Sequence, residues 1–147
     1  MEYVGSKLTL SRDVVGLGVV KFTHPVLVQK LEEEYTPPNG VASKMPAVAG
    51  QVLVKGDGDG TVQESIAKIY QSATATCMYM MQWSCPDMFN AVRGLARHMT
   101  LPREAHVQAL MTLIRYVIST KDRGLVLASK EIWNTEYKFK IHRRLDS

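Results

Sequence analysis

Three sets of side chains in this sequence have the types and spacing to do chemistry. The first is Asp57 and Asp59 in KGDGDGTV, two residues apart as at the start of a calcium loop. The later ligands and terminal glutamate of such a loop are absent, so the stretch reads as a flexible turn. The second set holds Cys77, Cys85 and the histidines His24, His98, His106 and His142. Two cysteines with no paired histidines nearby make a poor zinc site. A disulfide between them is not expected in a reducing compartment, and both read as buried or half-buried thiols. A catalytic histidine needs a nucleophile and an orienting acid within reach. Ser72 and Cys77 have no such partners by spacing, which argues against a hydrolase. His98 reads as a surface base and His106 as a capped core group. The third set is basic: Arg93, Arg97 and His98 along one expected helix, then Lys121 and Arg123 at the end of another. These could follow a sugar–phosphate backbone, which positions nucleic acid without reading its sequence and makes binding salt-sensitive. They could equally be ordinary solvated groups. Arg115 lies amid an apolar stripe, where Glu104 or Asp122 could pair with it.

Charge along the chain fits either reading of the third set. The formal net charge of +4 is made of −1 over residues 1–62, +2 over 63–120 and +3 over 121–147. A basic C-terminal half suits a partner with a phosphate backbone or a plain solvated surface. The 147 residues suit one domain or a domain piece, and 46% hydrophobic residues are enough to bury a core. No run of about 18 apolar residues occurs, and the start MEYVGSKLTL lacks the layout of a secretory leader. No membrane partner is expected. The expected location is intracellular, with cytoplasm and nucleus both open.

Periodicity supplies the elements that must position these groups. Residues 2–11 and 17–23 alternate as two strands of a hairpin, with turn chemistry at Arg12-Asp13-Val14-Val15-Gly16. In the first strand Lys7 and Thr9 share one parity and Leu8 and Leu10 show the other. Thr23-His24-Pro25, Ser84-Cys85-Pro86 and Thr100-Leu101-Pro102 share the layout hydroxyl-x-proline. Each precedes a helical pattern, the hydroxyl as expected cap and the proline in the first turn. The helix at 25–35 offers Leu27, Val28, Leu31 and Tyr35 to a sheet and ends at Thr36-Pro37-Pro38-Asn39-Gly40. Residues 36–62 read as a long connection, a linker or a segment leaning on a missing neighbour. The helix at 63–82 carries Ile66, Ile69, Tyr70, Ala73, Cys77, Met80 and Met81 at spacings of three and four, a methionine-rich packing stripe. The next, at 86–99, has Met88, Val92, Leu95 and Met99 on one face and Arg93 and Arg97 on another. The last, at 103–119, carries Val107, Leu110, Met111, Ile114, Val117 and Ile118. A second hairpin is expected from strands at 125–128 and 136–142 through a turn at 129–135.

These residues also resemble a known family. Residues 70–88, YQSATATCMYMMQWSCPDM, are similar to the tyrosine-x-serine-alanine … leucine-methionine-tyrosine … arginine-proline-aspartate block of copia-type retrotransposon reverse transcriptases, through Tyr70, Ser72, Ala73, Met78, Tyr79, Pro86 and Asp87. Ala91-Val92, Leu95 to Met99 and Pro102 resemble that family's following helix and turn. Glu104, His106, Ala109, Ile114-Arg115-Tyr116, Thr120-Lys121 and Gly124-Leu125 resemble its next block, with Ser119 where the family has glycine. Upstream, Val4-Gly5, Ser11-Arg12-Asp13 and Lys30-Leu31 resemble its strand, hairpin and helix. The blocks are collinear from about residue 3 to 146.

The resemblance implies the part of the polymerase after its catalytic turn: palm end at 1–35, linker at 36–62, thumb-like helices at 63–120, and a connection hairpin at 121–147 that ends where ribonuclease H begins. In the family, magnesium is held by an adjacent aspartate pair, and no such pair occurs in this sequence. Nucleotide transfer needs two carboxylate-held metal ions, so this chain is expected to be no enzyme by itself and to hold no cofactor. Leu145-Asp146-Ser147 matches the first letters of the family's ribonuclease H motif, but one carboxylate cannot hold a two-metal site, and Asp146 reads as a solvated tail residue. The expected partners are an RNA–DNA or DNA duplex and the missing polymerase and ribonuclease H portions. The expected fold is α+β: a hairpin and helix, a long linker, three packed helices and a second hairpin. Severed from its neighbours, the first hairpin is expected to expose an edge. The alternative function is a stand-alone helical interaction or nucleic-acid-binding protein, a domesticated remnant.

Overall fold

The computed structural model describes residues 2–3, 6–12, 18–35, 42–56 and 60–128. The expected turns at 13–16 and 36–40, the acidic pair Asp57 and Asp59, the strand at 136–142 and Asp146 all lie outside these residues.

The fold is α+β. Its strands are β1 (Glu2–Tyr3), β2 (Ser6–Arg12), β3 (Gly18–Thr23) and β4 (Leu125–Ala128), and its helices are α1 (Pro25–Glu34), α2 (Glu64–Trp83), α3 (Phe89–Ala96) and α4 (Glu104–Ser119). The strands form one antiparallel sheet in the order β1-β2-β3-β4. The single strand expected at 2–11 is thus two, folded back so that Tyr3 pairs with Ser6.

The strand expected at 125–128 is present and its described partner is β3; the strand expected to complete its hairpin lies outside the described residues. Val19 pairs with Ala128 and Phe22 with Leu125. Gly124 makes this possible. Its φ of 59° is in the left-handed region, and a Cβ there would stand 2.1 Å from the Phe22 carbonyl oxygen. Only glycine lets the chain turn so tightly against the end of β3. Of the two edges of the first hairpin, that of β3 is covered by β4, while that of β2 is paired by β1 only at Ser6 and Lys7.

Two of the three prolines open helical turns as expected, Pro102 lies outside α4 one residue before its cap, and the hydroxyls do not cap any of the three. Pro25 starts α1 and Pro86 starts a short 3₁₀ turn (Pro86–Met88) that leads into α3. The capping positions fall to His24 and Cys85, neither of which caps through its side chain. A hydroxyl two residues before a first-turn proline lies one residue outside the cap, too far out to reach the free N–H groups. Ser84 instead ends α2, with its N–H bonded to the Met80 carbonyl. At α4 the cap is Arg103, whose backbone N–H donates to His106 Nδ1 at 3.0 Å.

One buried cluster joins all four of the described helices, not three. Val28, Leu31 and Tyr35 of α1 pack in the same core as Tyr70, Cys77 and Met80 of α2, Val92 and Leu95 of α3, and Leu113 and Ile114 of α4. Helix α4 meets α1, α2 and α3, so it buries a wider arc than one stripe. That explains why Leu113 and Tyr116, off the expected stripe, are buried. Helix α2 meets its neighbours mainly beyond its first turns, and Ile66 and Ile69 stay exposed at 37% and 47%. Within the long connection, residues 42–56 lean on the chain's own helices. Leu53 packs against the core, and the Val54 carbonyl accepts from His106 Nε2 at 2.9 Å.

Candidate nucleic-acid interface

The candidate basic residues sort along α4. At its first turn lie the last turn of α3 and the residues after it. Arg93 and Arg97 are exposed there, four residues apart, or roughly 6 Å along a helix axis. Past its last turn lie Lys121 and Arg123, also exposed. Sixteen helical residues separate the two groups by roughly 24 Å.

His98 does not belong with them. Its ring is half-buried and stacks on His106, with centroids 4.0 Å apart and planes at 10°. The expected surface base is a packing residue. It lies there because the chain leaving α3 turns inward at His98 and Met99 to reach the start of α4, so the Arg93–Arg97 spacing no longer governs its direction. His106 is the capped core group that its position implied. Its Nδ1 accepts from the Arg103 N–H and its Nε2 faces the Val54 carbonyl, so the ring proton sits on Nε2 and donates to Val54.

Arg123 has a partner within the chain. The Tyr116 hydroxyl donates to the Asp87 carboxylate, and Arg123 lies within hydrogen-bonding reach of the same hydroxyl. Burial first, then the Asp87 contact, pushes Tyr116 above its ordinary range, and Arg123 pulls the other way. Arg93, Arg97 and Lys121 show no ion pair among the described residues.

Two cations escaped the sequence reading. Lys7 pairs with Thr23 across the sheet and Lys21 with Thr9, which puts all four on one face. This face borders a cleft with Lys121. The Lys21 ammonium donates to the Asp122 carbonyl. Glu32 and Glu33 of α1 stand at the same cleft, so its charge is mixed. The parity shared by Lys7 and Thr9 was the available signal; the register that adds Lys21 was not.

A second missed cluster is buried. His24, 2% exposed, is held between Ser6 (Oγ to Nε2, 2.9 Å) and Ser84 (Oγ to Nδ1, 2.5 Å), with Tyr79 edge-on at 5.6 Å. Desolvation lowers its pKa below the ordinary value. It ties β2 to the end of α2. Ser84 Oγ also lies 3.3 Å from Cys85 Sγ. Both cysteines are free. Burial raises both thiols, Cys77 to about 12, which leaves little thiolate for nucleophilic work near neutrality. Among the described residues no three His, Cys, Asp or Glu side chains converge on a metal position, and no helix is long and apolar enough to cross a membrane.

Compared with known proteins, the chain matches no family model, no curated protein and no solved structure.

Proposed function

We propose that this chain is a duplex-positioning segment of a copia-type retrotransposon reverse transcriptase, with the catalytic carboxylates and magnesium of the parent enzyme supplied by other segments. The observation that supports this reading is the exposure of Arg93, Arg97 and Lys121 on a packed helical frame, with no ion pair to satisfy them among the described residues. Arg123, held at Tyr116, adds a fixed charge beside Lys121. Cations at both ends of α4 suit contacts to phosphates spaced along a duplex and carry no base-reading role. His98 drops out of the set.

Filter-binding titration of the chain on an RNA–DNA duplex across salt tests the reading. Binding is expected to weaken steeply with salt, and Arg93→Ala, Arg97→Ala and Lys121→Ala are each expected to lower the log–log slope by about 1. No retention of duplex at low salt by folded chain would end the proposal.

One observation favours a second reading, a stand-alone helical interaction protein. Trp83 at the end of α2 and Phe89 at the start of α3 are each 52% exposed. Under that reading their replacement by serine abolishes partner capture, while the arginine and lysine variants leave it intact.

A further inference from the structure

The groove between α3 and α4 is roofed by the segment 46–53 and encloses a partly open cavity of about 250 Å³. The hollow has a simple origin. Ala91 and Gly94 on α3 face Ala109 on α4, three positions with almost no side chain. The roof reaches α3 at Gly94, where an added Cβ would stand 3.9 Å from Leu53 Cδ1, in ordinary van der Waals contact, so the open space lies to the side of that point, among the other lining residues. Protein interiors are otherwise close-packed, with few voids larger than a water molecule. A cavity of about 150 Å³ takes benzene, so this one holds a benzene ring with a short arm. Its lining is mainly apolar, and its charged group is Arg97, which is exposed and shows no ion pair among the described residues. The Asn90 amide adds a neutral hydrogen-bonding group at the same hollow.

We propose that this cavity binds a small aromatic carboxylate, with the ring over Ala91 and Ala109 and the carboxylate on the Arg97 guanidinium. Size selects one ring, and the guanidinium selects an anion with a planar, two-oxygen head. The site shares Arg97 with the proposed duplex contacts but does not rest on that reading, and its assay contains no nucleic acid.

The test titrates the full chain with 3-phenylpropanoate and, separately, with the neutral 3-phenylpropanamide, following backbone amide shifts. Saturable shifts are expected in α3 and in the middle of α4, with a dissociation constant in the millimolar range that so few ligand atoms support. The amide is expected to bind about three- to five-fold more weakly, the effect of one half-exposed ion pair. Arg97→Gln is expected to erase that difference. Gly94→Leu, which fills the hollow, is expected to abolish binding of both compounds. Absence of saturable shifts overturns the proposal, and so does an unchanged carboxylate preference in Arg97→Gln. That variant alters an exposed side chain and keeps the test decisive if Gly94→Leu fails to fold.

Discussion

Replacing Gly124 with alanine tests the claim that one glycine joins the two ends of the described fold. Two costs add. A non-glycine residue held in the left-handed region loses about 1–2 kcal/mol. The new Cβ would also stand 2.1 Å from the Phe22 carbonyl oxygen and 2.8 Å from Thr23 Cγ2. The first neighbour is backbone of a residue paired on both sides, with Leu8 and Leu125, and cannot swing aside. Relief requires β4 to move off β3, where Phe22 pairs with Leu125 one residue further on. Losing two of those backbone bonds costs about 1–3 kcal/mol more. The expected loss is about 2–5 kcal/mol, read as a fall in the urea midpoint with the slope unchanged. Gly18→Ala is the control: no atom lies within 4 Å of its added Cβ, and the expected change is within about 0.5 kcal/mol. A loss below about 1 kcal/mol for Gly124→Ala would refute the steric argument.

Two further outcomes follow from buried titratable groups. The folded pKa of His24 lies below its ordinary 6.5, so the unfolded chain binds the proton more tightly. Its contribution to stability is complete above about 6.5 and is lost as pH falls from there through the lowered folded value. The urea midpoint should drop more steeply over that window in the unaltered chain than in His24→Gln, and parallel curves would exclude the linkage. Of the two cysteines, half-buried Cys85 should react with a thiol reagent in the native state before Cys77, which is fully buried and has its pKa pushed up to about 12. Cys77 should be labelled only under denaturant, as mass spectrometry of the labelled peptides would show; equal native rates would contradict the packing of α2.

Local signals were legible in the sequence and distant ones were not. The 3.6-residue period placed α2 and α4 to within a residue or two, because each repeats its apolar positions over four or more turns. The strand at 125–128 was equally visible. Its pairing with β3 was not, since nothing in LVLA points to a ladder with residues more than a hundred positions before it. Leu113 and Tyr116 escaped because burial on three sides of α4 depends on where α1 docks. His24 meets Ser6 across 18 residues and Ser84 across 60, separations at which no spacing rule operates. The same limit applies to the candidate interface. Helical spacing exposed Arg93 and Arg97 together, but the inward turn of His98 and the register that sets Lys21 beside Thr9 are products of packing.

The β3–β4 pairing also has a mechanical consequence. Val19 and Ala128 lie opposite each other at one end of the ladder, while the 101 residues from Thr23 to Arg123 loop out from the other end. Tension applied at Gly18 and Ala128 themselves therefore acts on a single rung of this ladder at a time, as in opening a zipper. The last rung of this ladder to part is Phe22 with Leu125.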